Sequence, residues 1–163
     1  MIRFEKLTLK GQEALQSAQS HAQEKSNPQV MPEHLLWALV EQKEGVVLPI
    51  LQKLGANLQT IAHQLADLVA KLPKVQGQAE LHISPALSRI LEDAFKEADQ
   101  FKDEYVSTEH LFLAIAGEPG FRKLLGEVIE DRGVLRQQPA VLLIDRQRAG
   151  GIELEGPRLL PLF

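Results

Sequence analysis

Two Glu-His pairs, Glu33-His34 and Glu109-His110, are the residues of this chain best suited to chemistry. A carboxylate beside an imidazole is the raw material of metal ligation and of general acid–base catalysis. The spacing argues against both. Adjacent residues on a helix point about 100° apart, so neither pair can grip one metal ion. No His-Glu-x-x-His pattern occurs. Each pair opens an apolar helical run, where a first-turn carboxylate complements the helix dipole. The histidines then serve as packing or hydrogen-bonding residues beside Leu35 and Leu111.

Other chemistries fare no better. Thr8, Ser84, Ser107 and Thr108 stand at helix starts, where hydroxyls satisfy free backbone N–H groups. No serine lies in a Gly-x-Ser-x-Gly elbow. Glu92-Asp93, Asp103-Glu104 and Glu130-Asp131 read as solvated helix faces. The stretch Gly117 to Lys123 holds Gly120-Phe121-Arg122-Lys123 but no phosphate-loop pattern. The chain has no cysteine, which removes disulfides, thiolate metal sites and thiol nucleophiles, and fits a reducing compartment. The expectation is therefore no catalytic residue, no metal and no cofactor in this chain, and no ATP binding by it. Trp37 and Phe112 occupy nearby places in two similar segments and read as core.

Those similar segments are the larger signal. Thr8 to Leu39 and Ser84 to Ile115 align without a gap at an offset of 76 residues. Leu15 falls on Leu91, Ala18 on Ala94, Ala22 on Ala98, Val30 on Val106, and Glu33-His34-Leu35 on Glu109-His110-Leu111. One supersecondary unit has been used twice. Two packed copies of a helical unit create a seam, and the seam is the better candidate for function.

At 163 residues, 44% apolar and 25% charged, the chain has the balance of a globular protein with room for a real core. A net charge of −4, with no basic stripe among aromatics, argues against nucleic acid. The amino terminus carries charges where a signal peptide needs an apolar stretch, and the longest apolar runs, 35–40 and 140–144, are too short to span a bilayer. A cytoplasmic protein without membrane contact is expected.

Helical spacing of Leu9, Ala14, Leu15, Ala18 and Ala22 predicts a helix capped by Thr8 and ended by Asn27-Pro28. Pro32 suits the first turn of a second helix with Leu35, Leu36, Ala38 and Leu39 buried. Residues 46–54 form a short helix closed by Gly55, and Asn57 caps a fourth that Pro73 stops. The second unit opens with Ser84-Pro85, and Ser107 caps a helix whose Leu111, Phe112 and Ile115 face inward. Gly117, Pro119 and Gly120 form a turn before a short helix at 121–125. The expected fold is all-α, two four-helix repeats in pseudo-twofold relation with an irregular carboxyl-terminal tail. The domain is placed at 1–138, with repeat one at 4–72, a linker at 73–83 and repeat two at 84–138. Beyond about Gly126 the repeat weakens. Pro139, Gly150-Gly151, Pro157 and Pro161 interrupt any long helix. A short helix through about 138 and a short strand at 140–144 are expected, and residues 139–163 read as a poorly packed tail.

With VMPEHLLWAL and VSTEHLFLAI in paired helix-loop-helix units, the sequence resembles the amino-terminal repeat domain of the Clp family of AAA+ unfoldases, most closely its ClpB disaggregase branch. FEKLTLKGQEALQSAQSHA, GVVLPILQKLGAN, LPKV and ISPALSRILEDAFKEA support the resemblance, which covers about residues 3–125. The ClpC branch, whose domain docks adaptors, is similar in plan, but its helix starts usually read Gly-Thr-Glu-His; here they read Met-Pro-Glu-His and Ser-Thr-Glu-His.

The resemblance implies a chaperone domain that captures exposed apolar segments of unfolded or aggregated proteins for ATP-driven threading. It implies partners of the full-length protein: the DnaK chaperone system, and a hexamer built by ATPase modules, which hold ATP and magnesium and whose Walker motifs this chain lacks. An isolated domain is expected to be a monomer. By position, the resemblance implies substrate-protein binding by Thr8, Asp103 and Glu109 at the edge of a groove, with Leu9, Leu91, Leu111 and Phe112 as apolar contacts or supports. Asp93 stands where the ClpB type can be apolar, which implies a weaker or differently specific groove. Acidic residues at the rim, Asp103 and Glu109 among them, are expected to favour clients with basic residues beside apolar ones.

Overall fold

The computed structural model describes residues 3–77 and 80–128. The expected helix through 138, the strand at 140–144 and the tail at 139–163 lie outside the described residues. Among the described residues are seven α-helices and one two-stranded sheet. A 3-10 turn, Phe4–Lys6, precedes α1 (Leu9–Glu24). Strand β1 (Gln29–Val30) leads into α2 (Pro32–Glu41), followed by α3 (Val47–Lys53) and α4 (Leu58–Ala70). Strand β2 (His82–Ile83) leads into α5 (Pro85–Gln100), then α6 (Thr108–Gly117) and α7 (Pro119–Val128).

The duplication is visible in these bounds. Helices α1 and α5 both have 16 residues and α2 and α6 both have 10. Thr8 Oγ1 accepts from the Gly11 N–H at 3.2 Å and Ser84 Oγ from the Leu87 N–H at 3.0 Å. These bonds satisfy one orphan donor at each helix start. Asn57 Oδ1 caps α4 through the Thr60 N–H at 3.1 Å. Gly55, at φ 79°, supplies the left-handed residue that closes α3, and the Ala56 N–H returns to the Leu51 carbonyl at 3.0 Å.

The two units are tied by reciprocal strand pairs. Strands β1 and β2 run parallel, Val30 opposite Ile83, and the Ser84 N–H donates to the Val30 carbonyl at 3.1 Å. At the positions 76 residues away, Leu7 bridges Val106 in parallel, and the Thr8 N–H donates to the Val106 carbonyl at 2.9 Å. In each unit the residues entering the first helix pair with those entering the second helix of the other unit. Strands this short carry no periodicity, so the sequence reading missed them.

Helix α6 is the centre of the fold. It packs against α1, α2, α3, α5 and α7. Nine consecutive residues, Thr108 to Ala116, are buried, so the expected inward face of Leu111, Phe112 and Ile115 is corrected to burial all round. A helix without a polar face belongs inside a core. Its counterpart α2 keeps Trp37 only half buried, which corrects the reading of that residue as core. The Trp37 indole lies at the surface, stacked on the His21 ring at 4.7 Å and 10°, with the Lys25 ammonium 6.0 Å above it. His21 Nε2 in turn meets Glu41 Oε1 at 2.7 Å.

Two further differences concern connections. Pro119 and Gly120, expected in a turn, form the first turn of α7, because proline's fixed φ suits a helix start. The linker begins packed on unit one. Asn27 Nδ2 donates to the Pro73 carbonyl at 2.9 Å and the Val75 N–H to the Ser26 carbonyl at 2.9 Å.

Candidate functional site

Of the polar residues singled out by sequence, Thr8 is tied directly to the Leu7–Val106 bridge, and Asp103 and Glu109 each lie three residues along the chain from Val106. Thr8 is 0% exposed: its hydroxyl caps α1 and its backbone N–H holds Val106. Glu109, in the first turn of α6, is 2% exposed. The expectation of an acidic rim is thereby corrected at Glu109, because α6 is wrapped on every side. Asp103 keeps a quarter of its side chain exposed and accepts from His110 Nε2 at 2.8 Å. Among the apolar candidates, Leu91, Leu111 and Phe112 are buried, and Leu9 is half buried at the start of α1. Asp93 is partly buried on α5, 3.7 Å from the Lys96 ammonium. Its charge, with burial as the larger cause, raises the Glu97 carboxyl above the ordinary carboxylate range.

The histidines take a structural role. The Met31 N–H donates to His34 Nδ1 at 2.9 Å and the Ser107 N–H to His110 Nδ1 at 2.9 Å. Each ring reaches back from the third helical residue to the cap's backbone, as Glu or Gln does in a capping box. Burial, and next the charge of His21, push the His34 imidazole down to about 4. Glu33 beside it is raised by burial, against a smaller lowering by its backbone hydrogen bond. Among the described residues no three His, Asp or Glu side chains converge as a metal-binding group, and no helix is long and apolar enough to cross a membrane.

Sequence reasoning missed what lies at the open edge of the seam. Phe4, 40% exposed, is the one large apolar side chain exposed among the described residues. On either side of it, the Arg3 guanidinium sits 6.0 Å from the Phe95 ring centroid and the Lys6 ammonium 5.9 Å from that of Tyr105. Gln12, buried beneath, donates through Nε2 to the Leu7 carbonyl at 3.1 Å and the Phe4 carbonyl at 3.3 Å, so the 3-10 turn is held against α1. No sequence signal marked this edge: Arg3-Phe4-Glu5-Lys6 holds a single aromatic residue among charged ones.

Since Thr8 caps a helix, removing its hydroxyl acts on the fold before it acts on any ligand. Thr8→Ala is expected to lower unfolding free energy by about 1 kcal/mol. Urea unfolding measures this, and a loss under about 0.3 kcal/mol would show that the cap contributes little.

With this geometry in hand, the comparison with known proteins is decisive. The family model of the Clp repeat (R) N-terminal domain matches residues 6–128. The chain belongs to that family. Over 110 residues this Clp N domain is 43% identical to the chaperone protein ClpB of Bdellovibrio bacteriovorus, covering 67% of the chain and 13% of the relative. Over 137 residues it is 33% identical to ClpB of Pseudomonas putida, covering 83% and 16%. The chain thus spans less than a fifth of the length of these curated relatives. In fold it is similar to the Hsp104 N-terminal domain from Candida albicans, with a TM-score of 0.72 at 18% identity, covering 90% of this chain and 92% of that one. It is likewise similar to the ClpV N-domain solved in complex with a VipB peptide, with a TM-score of 0.67 at 23% identity and coverage of 86% and 88%.

Proposed function

We propose that this Clp N domain is the protein-capturing module of a ClpB-like chaperone, taking exposed apolar segments of unfolded or aggregated chains at the open edge of its seam. The observation that carries the site is the exposed Phe4 in the turn that precedes α1, flanked in the chain by Arg3 and Lys6, which lie over the Phe95 and Tyr105 rings of the other unit. An apolar client side chain would cover Phe4, and half-buried Leu9 at the start of α1 is the further apolar candidate. Arg3 and Lys6 favour clients with acidic residues near the apolar ones, in place of the basic neighbours expected from an acidic rim. Thr8, Glu109, Leu91, Leu111 and Phe112 are buried, so in this reading they act through the fold and not as direct contacts. Burial of a few hundred Å² at roughly 25 cal/mol per Å², less the cost of ordering the client, gives weak affinity. Weak binding suits a site that must release its client to an ATP-driven ring, and several tethered copies would raise it by avidity. Cooperation with a DnaK system, hexamer formation and a cytoplasmic setting belong to this same reading, as does the ATP chemistry of modules outside this chain.

The test is a titration of a labelled, permanently unfolded polypeptide by fluorescence anisotropy. Phe4→Ala is expected to weaken binding about three- to tenfold, or roughly 0.7–1.4 kcal/mol, with little change in stability. No binding by the wild type up to about 0.5 mM, an affinity near −4.5 kcal/mol, would sink the reading. A domain of the ClpC-like adaptor-docking kind would instead leave the unfolded chain free and bind a folded partner.

A further inference from the structure

The first helix of each unit ends in the same way. Ser26 and Lys102, 76 residues apart, take the left-handed conformation at φ 59° and 57°. The next N–H groups, of Asn27 and Asp103, return to the carbonyls of Ala22 and Ala98, both at 2.9 Å. The side chains of these two residues then meet the buried histidines: His34 Nε2 lies 2.9 Å from Asn27 Oδ1, and His110 Nε2 lies 2.8 Å from Asp103 Oδ2. Each Nδ1 faces a backbone N–H and must accept from it. The ring proton is therefore assigned to Nε2, which donates to the amide oxygen in one unit and to the carboxylate in the other. Each imidazole fastens the end of one helix to the first turn of the next. Unit one makes this fastening with a neutral asparagine, so it does not require a negative charge.

We propose that Asp103 is a positioning residue: through His110 it holds the loop 103–107 and the start of α6, and thereby the Val106 bridge on which the seam is built. Val106 lies within that loop, with its N–H on the Lys6 carbonyl at 2.7 Å and its carbonyl on the Thr8 N–H. Releasing His110 from Asp103 frees the loop that carries both bonds. Asp103 then affects client binding through the shape of the seam and not through its charge. The binding part of this inference rests on the client-capturing reading above; the fastening itself does not.

The test compares Asp103→Asn and Asp103→Ala with the wild type by three measurements. These are nitrogen chemical shifts of the His110 ring, amide exchange at Thr8 and Ser107, and affinity for the labelled unfolded polypeptide. Asp103→Asn reproduces the pairing of unit one. It is expected to keep the Nε2–H tautomer, amide protection within about threefold and affinity within about twofold of wild type. Asp103→Ala is expected to speed exchange at both amides about tenfold, the equivalent of one net hydrogen bond, and to weaken binding with it. Protected amides in Asp103→Ala would overturn the fastening. Lost affinity in Asp103→Asn with both amides still protected would make the carboxylate a direct contact and overturn the positioning role. A wild type that binds no unfolded chain defeats the client reading, while tautomer and exchange still judge the fastening. If Asp103→Ala does not fold, Asp103→Asn against wild type carries the decision.

Discussion

Phe112→Ala is expected to lower the unfolding free energy by about 3–5 kcal/mol, the largest loss from any single truncation considered. Phe112 is the largest of the fully buried side chains and stands in the middle of α6, the helix on which α1, α2, α3, α5 and α7 all pack. No face of α6 opens to solvent along Thr108–Ala116, so the cavity has no flexible wall on which to collapse. Incomplete collapse adds a cavity cost to the lost transfer free energy. A domain of this size is held by roughly 5–15 kcal/mol, so the variant should be marginal at 37 °C. Urea unfolding with unchanged slope measures the loss. A decrease below about 1.5 kcal/mol would mean that the core repacks around the gap and that α6 is less rigidly enclosed than the structure shows.

Stability should also fall as pH drops from neutrality, with His34 as a principal cause. Its imidazole titrates near 6.5 when unfolded and at about 4 when folded, lowered first by burial and then by the charge of His21. Between those values the unfolded chain binds the proton and the folded chain does not. The stability is therefore fully present above about 6.5 and is lost progressively down to about 4, below which this group adds no further slope. The full shift corresponds to about 3 kcal/mol. Glu33 works in the opposite sense. Its raised carboxyl contributes stability at low pH that is lost as pH rises through the folded value. Comparing wild type with His34→Gln removes this opposing effect, since Glu33 is present in both. The variant should be less stable at pH 7, and the gap should narrow by pH 4.5. Two parallel stability curves from pH 7 to 4 would exclude His34 as the cause.

How much of this could be read from sequence depended on the length of the signal. The stripe of Leu9, Ala14, Leu15, Ala18 and Ala22, repeated in part by Leu91, Ala94 and Ala98, runs over several turns and marks α1 and α5 together with their caps. The reading of both histidines as packing or hydrogen-bonding residues agrees with the structure, where each Nδ1 accepts from the backbone N–H at its helix cap. The encirclement of α6 had a signal that the inward-face reading passed over: after Glu109 and His110 no charged residue follows until Glu118. Thr8 and Glu109 were placed at a groove edge by resemblance, but the side chains are buried, and burial depends on how two units meet. A two-residue strand such as Gln29–Val30 offers no periodicity, and its partner lies more than 50 residues away. Phe4 gave no warning, since one exposed aromatic residue in sequence looks like any core aromatic residue.

The reciprocal strand pairs have a consequence for the origin of the fold. A single unit, cut at the linker, would leave the Val30 carbonyl without the Ser84 N–H, and the Thr8 N–H without the Val106 carbonyl. A second copy of the same unit would supply both, because each copy carries the donor that the other lacks. Such a pair would be an isologous homodimer with an exchanged strand, and its stability would depend on concentration. Joining the copies by a short connection sets their effective concentration at about the millimolar level or above and makes assembly intramolecular. The Clp N domain has the architecture of a dimer that has become one chain. The two copies are not equivalent within it: α6 is fully enclosed, while Trp37 of α2 is only half buried.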